Sequence, residues 1–124
     1  MRTLVTGASK GIGRAVALRL AVPGAKLGLG ASTRSDELMD IVAEVKSRGA
    51  EALPVIGDLS DPDVPKKIAV ETIDAFRGLD NVISNAGISI PSPANEIRVE
   101  NWDRVFAVNV RAPMLLAQSV YESL

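Results

Sequence analysis

Short apolar runs alternate along the chain with longer segments in which apolar residues recur every three or four positions. The short runs predict four strands, at Thr3–Thr6, Lys26–Gly30, Leu53–Ile56 and Asn81–Ser84. The longer segments predict helices between and after these strands. Regular alternation of strand and helix is typical of an α/β fold with a parallel sheet.

The first two predicted helices follow strands one and two. Ile12, Val16 and Leu20 recur at helical spacing in a helix predicted from Gly11 to about Val22. Ser35 predicts the N-cap of the second helix, because its hydroxyl can accept a backbone hydrogen bond there. The apolar stripe of that helix consists of Leu38, Ile41, Val42 and Val45.

The last two predicted helices differ in how clearly they begin. Ser60 or Asp61 is expected to cap the third helix, and the inward-facing residues of that helix are Val64, Ile68, Ile73 and Phe76. A loop with proline and serine runs from Gly87 to about Glu96. The fourth helix is predicted from about Val99 to the end of the chain.

The composition fits one domain with an aliphatic core. The chain has 124 residues, 47% of them hydrophobic and only 3% aromatic, which suits parallel strands buried on both faces. The net charge is −1, from 14 basic and 15 acidic residues dispersed along the chain. This charge pattern indicates neither nucleic acid nor a membrane surface as a partner.

Two residue types are missing altogether. Without cysteine or histidine, the chain has no thiolate nucleophile, histidine base or ordinary zinc site, and no cluster of acids suggests another metal. The N-terminus lacks the apolar core of a signal peptide, and no apolar stretch approaches the ~20 residues of a membrane span. We therefore expect a cytoplasmic protein that binds no metal.

A glycine-rich segment, Gly7-Ala-Ser-Lys-Gly-Ile-Gly13, joins the first predicted strand to the first predicted helix. Gly7 permits a tight exit from the strand, and Gly11 and Gly13 let the backbone approach a ligand or the sheet closely. The helix N-terminus offers unpaired N–H groups and a partial positive charge to phosphates. The segment predicts a cradle for dinucleotide phosphates; an ordinary glycine-rich turn is the alternative.

Four motifs occur in a fixed order: Thr6-Gly-x-x-x-Gly-Ile-Gly13, Asp58-Leu59, Asn85-Ala86-Gly87 and Asn109-Val110. Together they resemble the short-chain dehydrogenase/reductase family, over essentially the whole chain. The resemblance implies a doubly wound, Rossmann-type parallel sheet, here with four strands in the order 3-2-1-4 and helices on both faces. It also implies hydride transfer between NAD(P) and a small carbonyl or alcohol.

The resemblance assigns cofactor contacts to particular residues. It places Asp58 at the adenine amino group, with the Leu59 N–H nearby, and Asn85 to Gly87 under the cofactor ribose. Asp58 could instead be a carboxylate at a helix N-terminus, and Asn85 could be purely structural. The complete predicted set is Gly7, Ser9, Lys10, Gly11, Ile12, Gly13, Ser32, Thr33, Arg34, Asp58, Leu59, Asn85, Ala86 and Gly87.

The end of the second strand indicates which dinucleotide is preferred. NAD enzymes of this architecture usually place a carboxylate there, but Ala31-Ser32-Thr33-Arg34 contains none, and Asp36 is expected in the second helix. Hydroxyls, Arg34 and Lys10 suit the 2′-phosphate of NADP. NADP is therefore favoured over NAD, with a solvated surface role for the two cations as the alternative.

The family's acid–base chemistry is only partly represented. Asn109 matches its helix asparagine, which the resemblance implies holds a relay water, and Pro113 is expected to bend the helix nearby. An asparagine that merely opens a kink is the alternative. The family's Ser and Tyr-x-x-x-Lys have no match: Tyr121 is the single tyrosine, and four residues further would be beyond Leu124. We expect Tyr121 to pack or lie at the surface.

These observations define the expected domain and its alternatives. We expect residues 1–124 to be a single NAD(P)-binding Rossmann domain, the N-terminal half of a longer short-chain dehydrogenase, inactive by itself. A non-catalytic dinucleotide-binding module is the alternative. A receiver-like domain fits less well because no paired acids follow strand one, and a flavin-binding domain fits less well because the loop there has spaced glycines rather than many serines and threonines. We also expect a homo-oligomer, formed through the surfaces around strand four and the final helix.

Overall fold

The computed structural model describes all 124 residues and contains one four-stranded sheet. Its strands are β1 (Arg2–Val5), β2 (Lys26–Ala31), β3 (Glu51–Ile56) and β4 (Asn81–Ile83). All neighbouring strands are parallel, and their order is β3-β2-β1-β4. The predicted order 3-2-1-4 is confirmed.

Five α-helices accompany the sheet: α1 (Gly11–Leu20), α2 (Asp36–Ser47), α3 (Val64–Phe76), α4 (Val99–Phe106) and α5 (Ala112–Val120). A π-helical turn, Ala107–Arg111, joins α4 to α5, and a short 3-10 turn, Ala94–Glu96, lies in the loop before α4. None of these helices has the length and apolar character needed to cross a membrane.

The two sides of the sheet carry separate cores. Leu4 and Val5 of β1 are both fully buried, but they belong to different clusters because successive side chains of a strand point to opposite faces. Val5 packs in the cluster that includes Ala17 of α1 and Ile41 of α2. Leu4 packs in the cluster built from α3 and α5. Helices therefore cover both faces, as predicted.

The caps of α2 and α3 differ from each other. The Ser35 hydroxyl accepts the Leu38 N–H at 3.2 Å, so the predicted cap of α2 is confirmed. The predicted cap of α3 is wrong, because α3 begins only at Val64. Ser60 donates its N–H and hydroxyl to Asp58, and Asp61 accepts a backbone N–H within its own turn, so neither side chain reaches the helix.

The buried face of α1 is not the one that its large apolar residues suggest. Ile12 is 75% exposed, and Val16 and Leu20 are only half-buried. The fully buried positions of the helix are Gly13 and Ala17. Small residues face the sheet because the helix packs very closely against it behind the glycine turn.

The final helical stretch is interrupted. Instead of one helix from Val99 onwards, a π-helical turn spans Ala107–Arg111, and α5 ends at Val120. Pro113 has no N–H to donate to the Asn109 carbonyl, so a regular α-helical bond is missing here. The irregularity expected near Asn109 is present, in the form of a widened turn rather than a simple bend.

Candidate functional site

A cleft of about 410 Å³ opens at the carboxyl ends of the strands, where open α/β sheets bind their ligands. It brings together residues from the turn after β1, the ends of β2 and β3, and the turn after β4. The predicted residues that line it are Gly7, Ser9, Lys10, Ser32, Asp58, Leu59, Asn85, Ala86 and Gly87.

Six predicted residues lie outside the lining of this cleft. They are Gly11, Ile12, Gly13, Thr33, Arg34 and Asn109. The first three begin helix α1, and Thr33 and Arg34 are exposed just beyond β2. Asn109 lies in the π-helical turn and contacts Ile88, which itself lines the cleft.

The turn after β1 is built from close backbone contacts. Gly7 has a φ of +65°, and a Cβ at this position would lie 2.9 Å from the Ala86 Cα. A Cβ on Gly13 would collide with the Gly7 carbonyl oxygen. The turn is also tied to β2, because the Ala8 N–H donates to the Gly30 carbonyl at 2.8 Å. Side chains at these two glycines are incompatible with this turn.

Helix α1 presents its N-terminus directly after this turn. Its hydrogen bonds begin with the Arg14 N–H, which donates to the Lys10 carbonyl at 3.2 Å, and no side chain caps the helix. The N–H groups of Gly11, Ile12 and Gly13 therefore precede the first of these bonds and carry partial positive charge. This arrangement suits an anionic group such as a phosphate.

Asn85 joins the ends of β4 and β1. Its side-chain amide donates to the carbonyls of Thr6 and Gly7, both at 3.1 Å. The Thr6 hydroxyl accepts the backbone N–H groups of Asn85 and Ala86, also at 3.1 Å. Asn85 thus has a structural role at the wall of the cleft. The importance of Thr6 as an acceptor could not be predicted, because buried threonines are common in strands.

Asp58 closes a turn of its own beyond β3. Its Oδ1 accepts the Ser60 N–H at 2.9 Å and the Ser60 hydroxyl at 2.8 Å. Its Oδ2 accepts a bond from the Arg104 guanidinium at 3.2 Å. The Ser60 N–H and hydroxyl, followed by Arg104, lower the pKa of this carboxyl below its ordinary value. Because α3 begins only at Val64, Asp58 is not a helix N-terminal carboxylate.

Arg104 of α4 is a lining residue that sequence reasoning missed. Its guanidinium also donates to the Ser60 hydroxyl at 3.0 Å, so it spans the turn beyond β3. Arg111 supports the same turn from the π-helical segment, donating to the Ser60 carbonyl at 2.6 Å. Arg104 and Asp58 are 46 positions apart, and no local pattern distinguishes this arginine from a solvated one.

The cations near the end of β2 have no acidic partners. Lys10 and Arg34 take part in none of the ion pairs, and the Arg34 guanidinium makes one hydrogen bond, to the Met39 sulfur at 3.6 Å. Ser32 lines the cleft beside them. Asp36, the nearest carboxylate along the chain, lies in the first turn of α2 as expected. This part of the site is therefore cationic and rich in hydroxyls.

The side-chain amide of Asn109 makes two hydrogen bonds to the backbone of Ile88. Its Oδ1 accepts the Ile88 N–H, and its Nδ2 donates to the Ile88 carbonyl, both at 2.8 Å. It thereby holds the loop beyond β4 against the π-helical turn. Tyr121 is 81% exposed and lies past the end of α5, at the surface.

Known proteins are similar to this chain over nearly its whole length. The family model for short chain dehydrogenases matches residues 2–124. A glucose 1-dehydrogenase of Gluconobacter oxydans is 42% identical over 120 residues, which cover 96% of this chain and 45% of that protein. Versicolorin reductase of Emericella nidulans is 36% identical, with coverage of 98% and 46%.

A solved structure agrees closely with the fold. A short chain dehydrogenase from Burkholderia cenocepacia J2315, in complex with NADP, superposes with a TM-score of 0.95 at 32% identity. The match covers 99% of this chain and 50% of that one. The chain thus spans about half the length of the relatives that it matches. Sequence, fold and cleft agree that this chain belongs to the short-chain dehydrogenase/reductase family.

Proposed function

We propose that residues 1–124 form the single NADP(H)-binding domain of a longer short-chain dehydrogenase, which transfers hydride between NADP(H) and a small carbonyl or alcohol. One observation carries the proposal: a single cleft joins the glycine turn after β1, with its unpaired Lys10, to a β2 end that has no carboxylate, and the unpaired Arg34 lies exposed just beyond that strand. The relatives named above support it, because they include dehydrogenases and reductases and a complex with NADP.

The residues present fit a dinucleotide. The N–H groups of Gly11 to Gly13 and the α1 dipole would hold the pyrophosphate and compensate its charge. Asp58 and Leu59 would bind the adenine, and Asn85 to Gly87 would bind the ribose next to the nicotinamide. Ile12, which is 75% exposed at the start of α1, would contact the same ligand.

The preference for NADP over NAD follows from charge. Lys10 and Arg34, which have no acidic partners, would neutralise the 2′-phosphate, and Ser32 and Thr33 would donate hydroxyl hydrogen bonds to it. A carboxylate at the end of β2 would instead repel this phosphate, and none is present. We expect NADPH to bind at least ten times more tightly than NADH.

The bound cofactor supplies the hydride, and these 124 residues supply its binding site. They contain no Tyr-x-x-x-Lys, and the Asn109 side chain supports Ile88. We therefore expect these residues alone to bind NADPH without reducing a carbonyl. A longer reading frame that contains a serine and Tyr-x-x-x-Lys would show that the protein is an enzyme and not a non-catalytic dinucleotide-binding module.

We also propose that the chain self-associates. Trp102, Phe106, Val110 and Met114 are exposed at intervals of four residues along α4, the π-helical turn and α5. The Trp102 and Phe106 rings stack with centroids 4.6 Å apart, and β4 is an open edge of the sheet. A monodisperse monomer by light scattering at high concentration would contradict this proposal.

Calorimetric titration with NADPH and NADH tests the cofactor assignment. The variant Lys10→Gln/Arg34→Gln should lose most of its NADPH affinity and keep its NADH affinity, because NADH has no 2′-phosphate. Arg98→Gln is the matched control, since Arg98 is an exposed arginine whose partner is the exposed Glu100. Equal affinity for the two cofactors, or no binding of either, would overturn the proposal.

A further inference from the structure

The ion pair between Arg104 and Asp58 is exposed, yet it lies in the cleft. Their side chains are 49% and 48% exposed, and an ion pair in such a setting contributes little to the free energy of unfolding. Both residues line the same cleft as the glycine turn. The pair is therefore better explained by what it does to a ligand than by what it does for stability.

The hydrogen bonds of Asp58 leave one acceptor position open. A carboxylate accepts about four hydrogen bonds, two at each oxygen. Oδ1 already accepts two, the Ser60 N–H and the Ser60 hydroxyl, whereas Oδ2 accepts only the bond from Arg104. The remaining position belongs to Oδ2, the same oxygen that Arg104 holds. A ligand in the cleft can fill it with a single N–H donor.

Arg104 is suited to fix the orientation of this carboxylate. Its Nη1 donates to the Ser60 hydroxyl and its Nη2 to Asp58 Oδ2, so one planar group bridges the two ends of the turn. Arg111 adds a bond to the Ser60 carbonyl from the π-helical turn. Because Arg104 comes from α4, the Asp58 carboxylate is held from outside its own loop.

We propose that Arg104 is a positioning residue for adenine recognition: it orients Asp58 so that the open acceptor position on Oδ2 receives the 6-amino group of the cofactor. This inference rests on the proposed binding of NADP(H). The lowered pKa of Asp58 agrees with it, because a carboxylate that stays ionised is an acceptor only and never presents a competing proton.

Arg104 could instead serve only to attach α4 to the turn beyond β3. In that case removal of the Arg104 side chain would lower the affinity for every ligand of the cleft by the same factor. If Arg104 positions Asp58, its removal must instead lower the affinity more for a ligand that has the 6-amino group than for one that lacks it. Two small ligands separate these cases, namely adenosine 2′,5′-bisphosphate and purine riboside 2′,5′-bisphosphate, in which hydrogen replaces the amino group.

The experiment is a calorimetric titration of the 124-residue chain and its Arg104→Gln variant with both ligands. We expect the variant to bind the adenosine ligand about tenfold more weakly and the purine ligand less than about twofold more weakly, as loss of one charge-assisted hydrogen bond predicts. The variant Arg104→Lys keeps the positive charge but lacks the planar guanidinium that donates to two groups at once, so it should recover only part of the affinity for the adenosine ligand.

Two further variants make the result specific. Arg111→Gln removes a bond to the Ser60 carbonyl without touching Asp58, so it should affect the two ligands equally. Arg98→Gln, at the start of α4, should affect neither. If Arg104→Gln lost the same affinity for both ligands, or lost none, the inference would be overturned. The proposed function would still stand as long as the unchanged chain binds NADPH. Absence of NADPH binding by the unchanged chain would overturn both.

Discussion

The turn after β1 and the corner after β3 face the same cleft but are built in opposite ways. The turn is shaped by close backbone contacts at Gly7 and Gly13, where a side chain would collide, and the Thr6 and Asn85 side chains tie it to the end of β4. The corner is formed by the side chains of Asp58, Ser60 and Arg104, which come from two distant segments. One region approaches a ligand with backbone N–H groups, and the other with a carboxylate and a guanidinium.

This difference determines how each region responds to substitution. An added atom in the turn meets backbone that cannot move away, so both folding and binding suffer. A removed side chain in the corner is replaced by water, because the groups there are about half exposed. Changes in the turn should therefore destabilise the protein, whereas changes in the corner should affect ligand affinity with little effect on stability.

Gly13→Ala should give the largest effect. The new Cβ would collide with the Gly7 carbonyl and crowd the Asn85 side-chain amide, so α1 must move away from the turn. We expect the free energy of unfolding to fall by about 3 kcal/mol and NADPH binding to become undetectable. Urea unfolding and calorimetric titration measure the two effects.

Gly24→Ala is the control for that substitution. Gly24 has a φ of +84° in open space and lies far from the cleft, so alanine there brings backbone strain without a collision. It should cost about 1 kcal/mol of stability and leave NADPH affinity unchanged. If both variants lost NADPH binding equally, close packing at Gly13 would not be what makes the glycine turn able to bind the cofactor.

Asn85→Ala should have the next largest effect. It leaves the carbonyls of Thr6 and Gly7 without their side-chain donor in a half-buried position. We expect a loss of about 2 kcal/mol in the free energy of unfolding and a clear weakening of NADPH binding. Asn95→Ala, in the exposed loop before α4, should change neither measurement. An Asn85→Ala variant of normal stability would show that the turn keeps its shape without the side-chain hydrogen bonds of Asn85.

An ion pair remote from the cleft sharpens the comparison with Asp58. The Arg2 side chain, and next its backbone N–H, lower the pKa of Asp80 from 3.8 to about 2. A carboxyl whose pKa is lower in the native state than in the unfolded state stabilises the protein at pH values above the unfolded-state pKa. This stabilisation disappears as the pH falls through the native-state pKa. The stability difference between the protein and Asp80→Asn should therefore be constant above about pH 5 and shrink towards pH 2.

Unfolding curves of both proteins between pH 2 and pH 7 test this expectation. NADPH affinity at neutral pH should be the same in both, because Arg2 and Asp80 lie at the opposite ends of their strands from the cleft. A difference that kept growing as the pH fell would contradict the assignment of the lowered pKa to Asp80.

The same two regions explain what could be predicted from the sequence. The strands and the glycine turn follow from local patterns, since Gly7 and Gly13 are informative by type and spacing alone, whereas the strand order follows from the resemblance to a known family. The corner depends on Arg104, which is 46 positions from Asp58 and resembles any solvated arginine until the fold brings the two together. The start of α3 was misjudged for a related reason: Ser60 and Asp61 are good capping residues that are engaged in another turn.

Ser60→Ala should have the smallest effect and tests the corner most directly. It removes the hydroxyl between Asp58 and Arg104 but keeps the Ser60 N–H bond to Oδ1. We expect a change below about 0.5 kcal/mol in the free energy of unfolding, because the network is exposed. NADPH should nevertheless bind about threefold more weakly, since Asp58 is held less firmly. Ser92→Ala, in an exposed loop, is the matched control. A Ser60 variant that lost stability but kept its NADPH affinity would contradict the expectation that the corner affects binding more than stability.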